Sequence, residues 1–166
     1  MKCSHENPDL RHPSPSDIQP RSASAWGTKA RIHGSHPKSV GIESSPLNLC
    51  SKNRNCVCSQ NQSPPHFIKP LKGLGRVQTA FQLLKTILET TNRCQVITTT
   101  PTYLYAEFRT PLLRFIDDVE FLLTTSEDVI HVRSASRVGY WDLGVNRRRI
   151  ERIRVKLRES LITDKG

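Results

Sequence analysis

An apolar residue recurs at every third or fourth position between residues 77 and 88. The set comprises Val77, Ala80, Phe81, Leu84, Ile87 and Leu88. This spacing places all six on one face of a helix. Gly73 and Gly75 precede the run, and Asn92 follows it as a C-terminal stop signal. The pattern predicts a helix over residues 75–91 with one buried face.

Beyond this helix the apolar period falls to two, which is typical of β-strands. The predicted strands cover residues 95–100, 103–109, 118–124 and 129–134. The second strand turns Leu104, Ala106 and Phe108 to one face, and Tyr103, Tyr105 and Glu107 to the other. The links between strands are too short for crossover connections, so the strands should pair antiparallel.

A last helix is predicted over residues 147–161, with Asn146 as its N-cap. Its apolar stripe is narrow and consists of Ile150, Ile153, Leu157 and Leu161. The order helix, four strands, helix predicts an α+β fold, with both helices packed on one face of a four-stranded antiparallel sheet. We assign this domain to residues 74–162.

The chain before this domain has a different composition. Residues 1–45 are polar and Pro-rich without a helical or strand period, which predicts a disordered N-terminal tail. Residues 46–73 are rich in Asn, Ser, Pro and Cys, which predicts a Cys-containing extended arm. A hydrophobic content of 36% agrees with a chain that is only partly globular.

The formal net charge is +10, which favours an anionic ligand or partner. Seven Lys and Arg residues crowd the last helix between 147 and 158, so nucleic-acid binding is one alternative and a solvated basic face is another. No apolar run is long enough for a transmembrane segment, and no signal-peptide core is visible. Cytoplasmic localisation is therefore the default expectation.

Carboxylates mark the second face of the sheet. Strand alternation predicts an open polar sheet face that carries Glu107, Asp118 and Glu120. Paired carboxylates suit a hard cation or a hydrolytic enzyme. The alternative is a set of ion pairs across strands, because Arg133 is predicted on the next strand.

A second group of polar residues lies where the last strand leads into the last helix. It consists of Arg133, Ser134, Ser136, Arg137, Asn146 and Arg147. Arginine, hydroxyl groups and a helix N-terminus are the donors that an anion-binding site uses. Alternatively, the arginines pair with nearby carboxylates and fix the turn. No nucleotide-binding glycine pattern is present, and we expect no cofactor.

Three stretches of the chain are recognisable: FIDDVEF, VIHVRSASRVGYWDLGVNRRRIE and, upstream, NCVCSQ. They resemble the DUF1499 family, a domain of unknown function, over about residues 47–160. The resemblance implies no established activity. It does imply export or lipid anchoring in bacterial members and a plastid location in plant members, which are the alternatives to the cytoplasm.

The family places a Cys a few residues before the Asn-Cys-Val motif, as Cys50 stands before Cys56 here. A Cys50–Cys56 disulfide is expected in an oxidising compartment, and free thiols otherwise. Cys58 stands where relatives usually have Ser. With His66, the spacing of these cysteines fits none of the common zinc patterns, so we expect no metal site.

The sequence thus predicts a non-enzymatic module that binds a small anion, lipid headgroup or protein partner through the turn at residues 133–147. A metal-binding or hydrolytic enzyme built on Asp118 and Glu120 is the first alternative. Nucleic-acid binding through the basic last helix is the second.

Overall fold

The computed structural model describes residues 47–111 and 114–164. The predicted disordered tail, residues 1–45, lies outside them. The elements are, in chain order, β1 (Cys56–Cys58), β2 (Leu71–Lys72), α1 (Val77–Thr90), β3 (Cys94–Thr99), β4 (Tyr103–Arg109), β5 (Ile116–Thr124), a 3₁₀ turn (Thr125–Glu127), β6 (Val129–Ser136) and α2 (Val145–Thr163).

The strands form one antiparallel sheet in the order β1-β6-β5-β4-β3, and β2 also pairs with β6. The α+β class and the antiparallel pairing are confirmed. The prediction of four strands was wrong, because residues 46–73 supply β1 and β2 as well. These strands have only three and two residues, which is too short for an alternating pattern to be visible.

Both helices pack on the same face of the sheet. The apolar stripe of α1 and the stripe of α2 join one core with strand residues such as Ala106, Val119 and Val132. Ile68 and Leu71 from the arm enter the same core. The two helices therefore cover the face that strand alternation assigns to Leu104, Ala106 and Phe108.

The second face of the sheet is covered by the start of the arm. Leu47 and Cys50 pack against Tyr103, Tyr105 and Cys58 on this face. The Leu47 amide donates to Gln60 Oε1 over 2.8 Å, and the Cys50 amide donates to Asn61 Oδ1 over 2.9 Å. A disulfide between Cys50 and Cys56 ties the arm to β1.

The prediction that the polar face is open was therefore wrong. Asp118 and Glu120 do share this face, but each is only 2% exposed. Alternation gives the side of the sheet to which a residue points, whereas exposure depends on which other segment packs over that side.

The start of α2 also differs from the prediction. The N-cap position is Gly144, with a φ of 75°, and Asn146 lies inside the first turn. Asp142 takes the capping role instead. Its Oδ1 accepts from the Gly144 amide over 2.9 Å and its Oδ2 accepts from the Asn146 amide over 2.8 Å.

Candidate functional site

The sheet divides the six residues predicted to bind an anion. Arg133 and Arg137 project from one face of β6 and its extension, whereas Ser134 and Ser136 project from the other, because successive strand residues alternate. Arg147 lies elsewhere on the surface and donates to the carbonyls of Pro65 and Phe67 over 3.3 and 2.8 Å. The six side chains therefore do not form one pocket.

Arg137 is at the centre of a network on the arm-covered face. Its Nε donates to the two Asp118 oxygens over 3.0 and 3.1 Å, and its Nη2 donates to Tyr105 Oη over 2.9 Å and to Glu107. Tyr105 Oη donates to Asp118 over 2.6 Å. Burial lowers the pKa of Arg137, but the bonds to Asp118 and Glu107 outweigh it and raise that pKa. Burial, and then the bond to Asp118, raise the pKa of Tyr105.

Glu120 forms a second buried group beside this network. Arg133 Nη1 donates to Glu120 Oε2 over 2.8 Å, and Tyr103 Oη donates to Oε1 over 2.9 Å. The ion pairs across strands that the sequence offered as an alternative are thus present. A cation at Asp118 or Glu120 would have to displace an arginine from a buried carboxylate. Among residues 47–111 and 114–164, no three His, Cys, Asp or Glu side chains are grouped so as to hold a metal ion.

Asn146 connects the start of α2 to β6 and to Asn55, the residue before β1, on the helix-covered face. It is fully buried. It accepts from Ser134 Oγ over 2.6 Å and donates from Nδ2 to Ser136 Oγ over 3.1 Å and to the Asn55 carbonyl over 2.9 Å. Arg149, one turn along α2, pairs with Asp117 and donates to Ser134 Oγ over 3.0 Å. These bonds fix the position of the helix start on the sheet.

The turn between β6 and α2 is held in place by hydrogen bonds from Asn55 and by a backbone bridge to Arg54. The Asn55 side chain donates from Nδ2 to the Ser136 and Gly139 carbonyls over 3.2 and 2.6 Å. Arg54 forms a backbone bridge with Trp141. We call residues 139–143 the aromatic turn.

Three large apolar side chains of the aromatic turn face solvent. Tyr140, Trp141 and Leu143 are 65%, 64% and 61% exposed. Two arginines lie beside them, since Arg54 is bridged to Trp141 and Arg148 Nη1 donates to the Leu143 carbonyl over 2.8 Å. These residues were not predicted as functional from the sequence. The available signal was a pair of aromatics between Gly139 and Gly144, outside every apolar period.

Residues 46–157 match the family described as "Protein of unknown function (DUF1499)". The chain belongs to the DUF1499 family. The predicted resemblance is thereby confirmed, and the matched range includes all six strands, α1, the aromatic turn and most of α2. No curated protein and no solved structure matches the chain significantly.

Two cysteines of this DUF1499 domain are free thiols, Cys58 and Cys94. Burial raises the pKa of Cys58, although neighbouring amides and Arg133 oppose this. Burial raises the pKa of Cys94 to about 12, against a smaller opposing effect of Arg149. Both thiols therefore stay protonated near neutral pH, where they are weak nucleophiles.

A Ser-His-Glu arrangement occurs where the arm meets β6. Ser59 Oγ lies 3.1 Å from His131 Nδ1, and Glu127 lies 3.6 Å from His131 Nε2. Ser59 Oγ also accepts from the Val132 amide over 2.9 Å, and Ser59 is only 8% exposed. A buried hydroxyl engaged by backbone suits a structural link between the arm and β6 better than a nucleophile that must reach a substrate.

The basic helix of the DUF1499 domain uses several of its cations internally. Arg147 and Arg154 donate to backbone carbonyls of the arm, and Arg149 pairs with buried Asp117. Fewer charges therefore remain for a nucleic-acid backbone than the sequence count indicates. None of the described helices combines the length and apolarity needed to span a bilayer.

Proposed function

We propose that this domain is a non-enzymatic module that binds anionic lipid headgroups at a membrane surface through the aromatic turn. The observation that carries the proposal is the exposure of Tyr140, Trp141 and Leu143, each above 60%, beside Arg54 and Arg148. A lipid headgroup was already among the ligands expected from the sequence. The residues proposed to bind it are now those of the aromatic turn, instead of the six polar residues between Arg133 and Arg147.

The chemistry of the aromatic turn fits the boundary between water and lipid. Tyrosine and tryptophan have an apolar ring and a polar group, and they concentrate at membrane interfaces. A Lys or Arg side chain near an anionic membrane adds about 1 kcal/mol of attraction. The Asp142 carboxylate lies in the turn but faces the amides at the start of α2, which offset its negative charge.

The turn is also fixed before it binds. Asn55 Nδ2 and Arg148 Nη1 donate to the carbonyls of Gly139 and Leu143, and the Asp142 carboxylate accepts from the Gly144 and Asn146 amides at the start of α2. A fixed backbone loses little conformational entropy on binding, so more of the contact energy contributes to affinity. A loop that serves only as a connection would need neither three exposed apolar side chains nor so many supporting bonds.

Vesicle binding tests the proposal. The chain has two tryptophans, so a Trp26→Phe background leaves Trp141 as the only one. We expect its fluorescence to shift to shorter wavelength with vesicles containing phosphatidylglycerol, and to shift much less with pure phosphatidylcholine. In co-sedimentation, Trp141→Ala should weaken binding by about 10-fold or more, since burying a large apolar side chain contributes roughly 1.5–3 kcal/mol.

Arg54→Glu should weaken binding to the anionic vesicles, and added salt should do the same. Ile97→Ala is the control, because Ile97 is an apolar residue of β3 that is 44% exposed away from the turn. Equal binding by Trp141→Ala and the unsubstituted chain, or no binding at low salt, would overturn the proposal.

A further inference from the structure

A groove of about 550 Å³ lies between residues 69–74 and the C-terminal half of α2. Leu71 and Leu157 form buried parts of its wall, whereas Leu74 and Ile162 are 50% and 59% exposed. The aromatic turn precedes the other end of this 19-residue helix. The two surfaces are thus separate features of the domain.

Cations surround the apolar part of the groove. Lys69, Lys72 and Arg158 line it and are exposed. None of the three has an ion-pair partner within the described part of the chain. The only carboxylate among the lining residues is Glu151, and it is engaged by Arg154.

Arg154 has a different role from the other cations. Its Nη1 and Nη2 each donate over 2.6 Å, to the carbonyls of Pro70 and Lys69 respectively, and its Nε donates to Glu151 over 2.9 Å. These bonds hold the two walls of the groove together. Asp128 also fixes the chain that follows Lys72. The Gly73 amide donates to the Asp128 carbonyl over 2.9 Å, and the Gly75 amide donates to Asp128 Oδ2 over 2.7 Å. The groove is therefore preformed.

We propose that this groove binds a single-chain aliphatic acid, with the chain along Leu74 and Ile162 and the carboxylate or phosphate group at Lys69, Lys72 and Arg158. The groove has the volume of a small-molecule site, for which about 300–1,000 Å³ is typical. Its lining contains aliphatic residues and no aromatic ring, which suits a flexible hydrocarbon chain. The unpaired cations provide the charge complementary to the acid.

A chain-length series on the full chain tests the proposal. Octanoate, decanoate and dodecanoate, each below its critical micelle concentration, should bind with an affinity that rises about fourfold per methylene until the groove is filled. Decylammonium, with the same number of carbon atoms as decanoate and the opposite charge, should bind at least tenfold more weakly. Monomeric ligand keeps this measurement separate from any membrane binding.

Matched variants locate the site. Lys72→Glu/Arg158→Glu should weaken decanoate binding at least tenfold. The control Arg152→Glu/Lys156→Glu makes the same change in net charge at two α2 residues that do not line this groove, and it should weaken binding less. Ile162→Ser should weaken dodecanoate binding and reduce the gain per methylene, and it adds no charge. Trp141→Ala should leave decanoate binding unchanged, so this proposal and the membrane proposal fail independently.

Three results would each overturn the inference: affinity independent of chain length, equal affinity for decanoate and decylammonium, or equal loss in the two double variants. If the first double variant has a lowered melting temperature, Ile162→Ser decides, because Ile162 is an exposed residue near the end of α2.

Discussion

Removing the guanidinium of Arg137 while keeping its aliphatic stem, as in Arg137→Met, tests whether this arginine stabilises the fold or serves a ligand. The Arg137 side chain is 6% exposed and the Asp118 side chain 2%. After the substitution, the Asp118 carboxylate would remain buried with only Tyr105 as a donor from this network, and Glu107 would lose its arginine.

Breaking a buried ion pair by removing one partner costs about 3–5 kcal/mol. Such a loss is a large share of the roughly 5–15 kcal/mol that stabilises a typical domain. For a domain of this size, the melting temperature should fall by about 10–20 °C. Urea unfolding followed by circular dichroism gives the free energy, and Arg152→Met, at an exposed position on α2, should change it by no more than about 0.5 kcal/mol.

The double variant Arg137→Met/Asp118→Asn adds a second measurement. Removing the charge that was left without its partner should recover part of the loss, with a coupling energy of about 0.5–3 kcal/mol. A ligand-binding arginine would behave differently, because its removal would barely change the melting temperature. A loss below about 1 kcal/mol for Arg137→Met, without coupling to Asp118, would refute the structural role.

Two further predictions concern the cysteines. Cys50→Ser/Cys56→Ser should lower the free energy of unfolding, measured in urea, by about 2 kcal/mol. Reductant should destabilise the unsubstituted chain but not this variant. An unsubstituted chain whose stability does not change with reductant would contradict the prediction. Burial raises the pKa of Cys94 from its ordinary value of 9.0 to about 12, so above pH 9 the unfolded chain binds fewer protons than the folded chain and stability falls as pH rises. Cys94→Ala should reduce that slope by at most about 1.4 kcal/mol per pH unit between pH 9 and 11, and an unchanged slope would show that the Cys94 thiol does not contribute.

The elements with a clear apolar period could be predicted from the sequence. The predicted second strand and β4 both cover Tyr103–Arg109, and α1 differs from its prediction by one or two residues at each end. The side-chain alternation in β4 and β5 was also correct. These features depend on local spacing, which the chain itself records. Strands β1 and β2 depend on pairing with a partner more than 50 residues away, which local spacing does not record.

The candidate site was predictable only in part. Glu107, Asp118, Glu120 and Arg133 were expected on one face of the sheet, and Arg137, which was expected in the separate anion-binding group, bonds Asp118 and Glu107 on that face. Leu47 and Cys50 pack over the same face, against Tyr103 and Tyr105, from a segment without any apolar period. The aromatic turn was overlooked because exposure of a large apolar residue cannot be read from spacing alone. Only the structure shows that this turn lies outside the core, with its large apolar side chains in solvent.

The small strands β1 and β2 have a practical consequence for producing the protein. A fragment that starts at Gly73 would contain both helices and the four longer strands, and by sequence it would look like a complete domain. It would leave much of one edge of β6 with unsatisfied amides and carbonyls, and it would uncover Tyr103 and Tyr105. An unprotected strand edge beside newly exposed rings invites intermolecular pairing and precipitation. Soluble expression should therefore require a fragment that begins no later than Leu47.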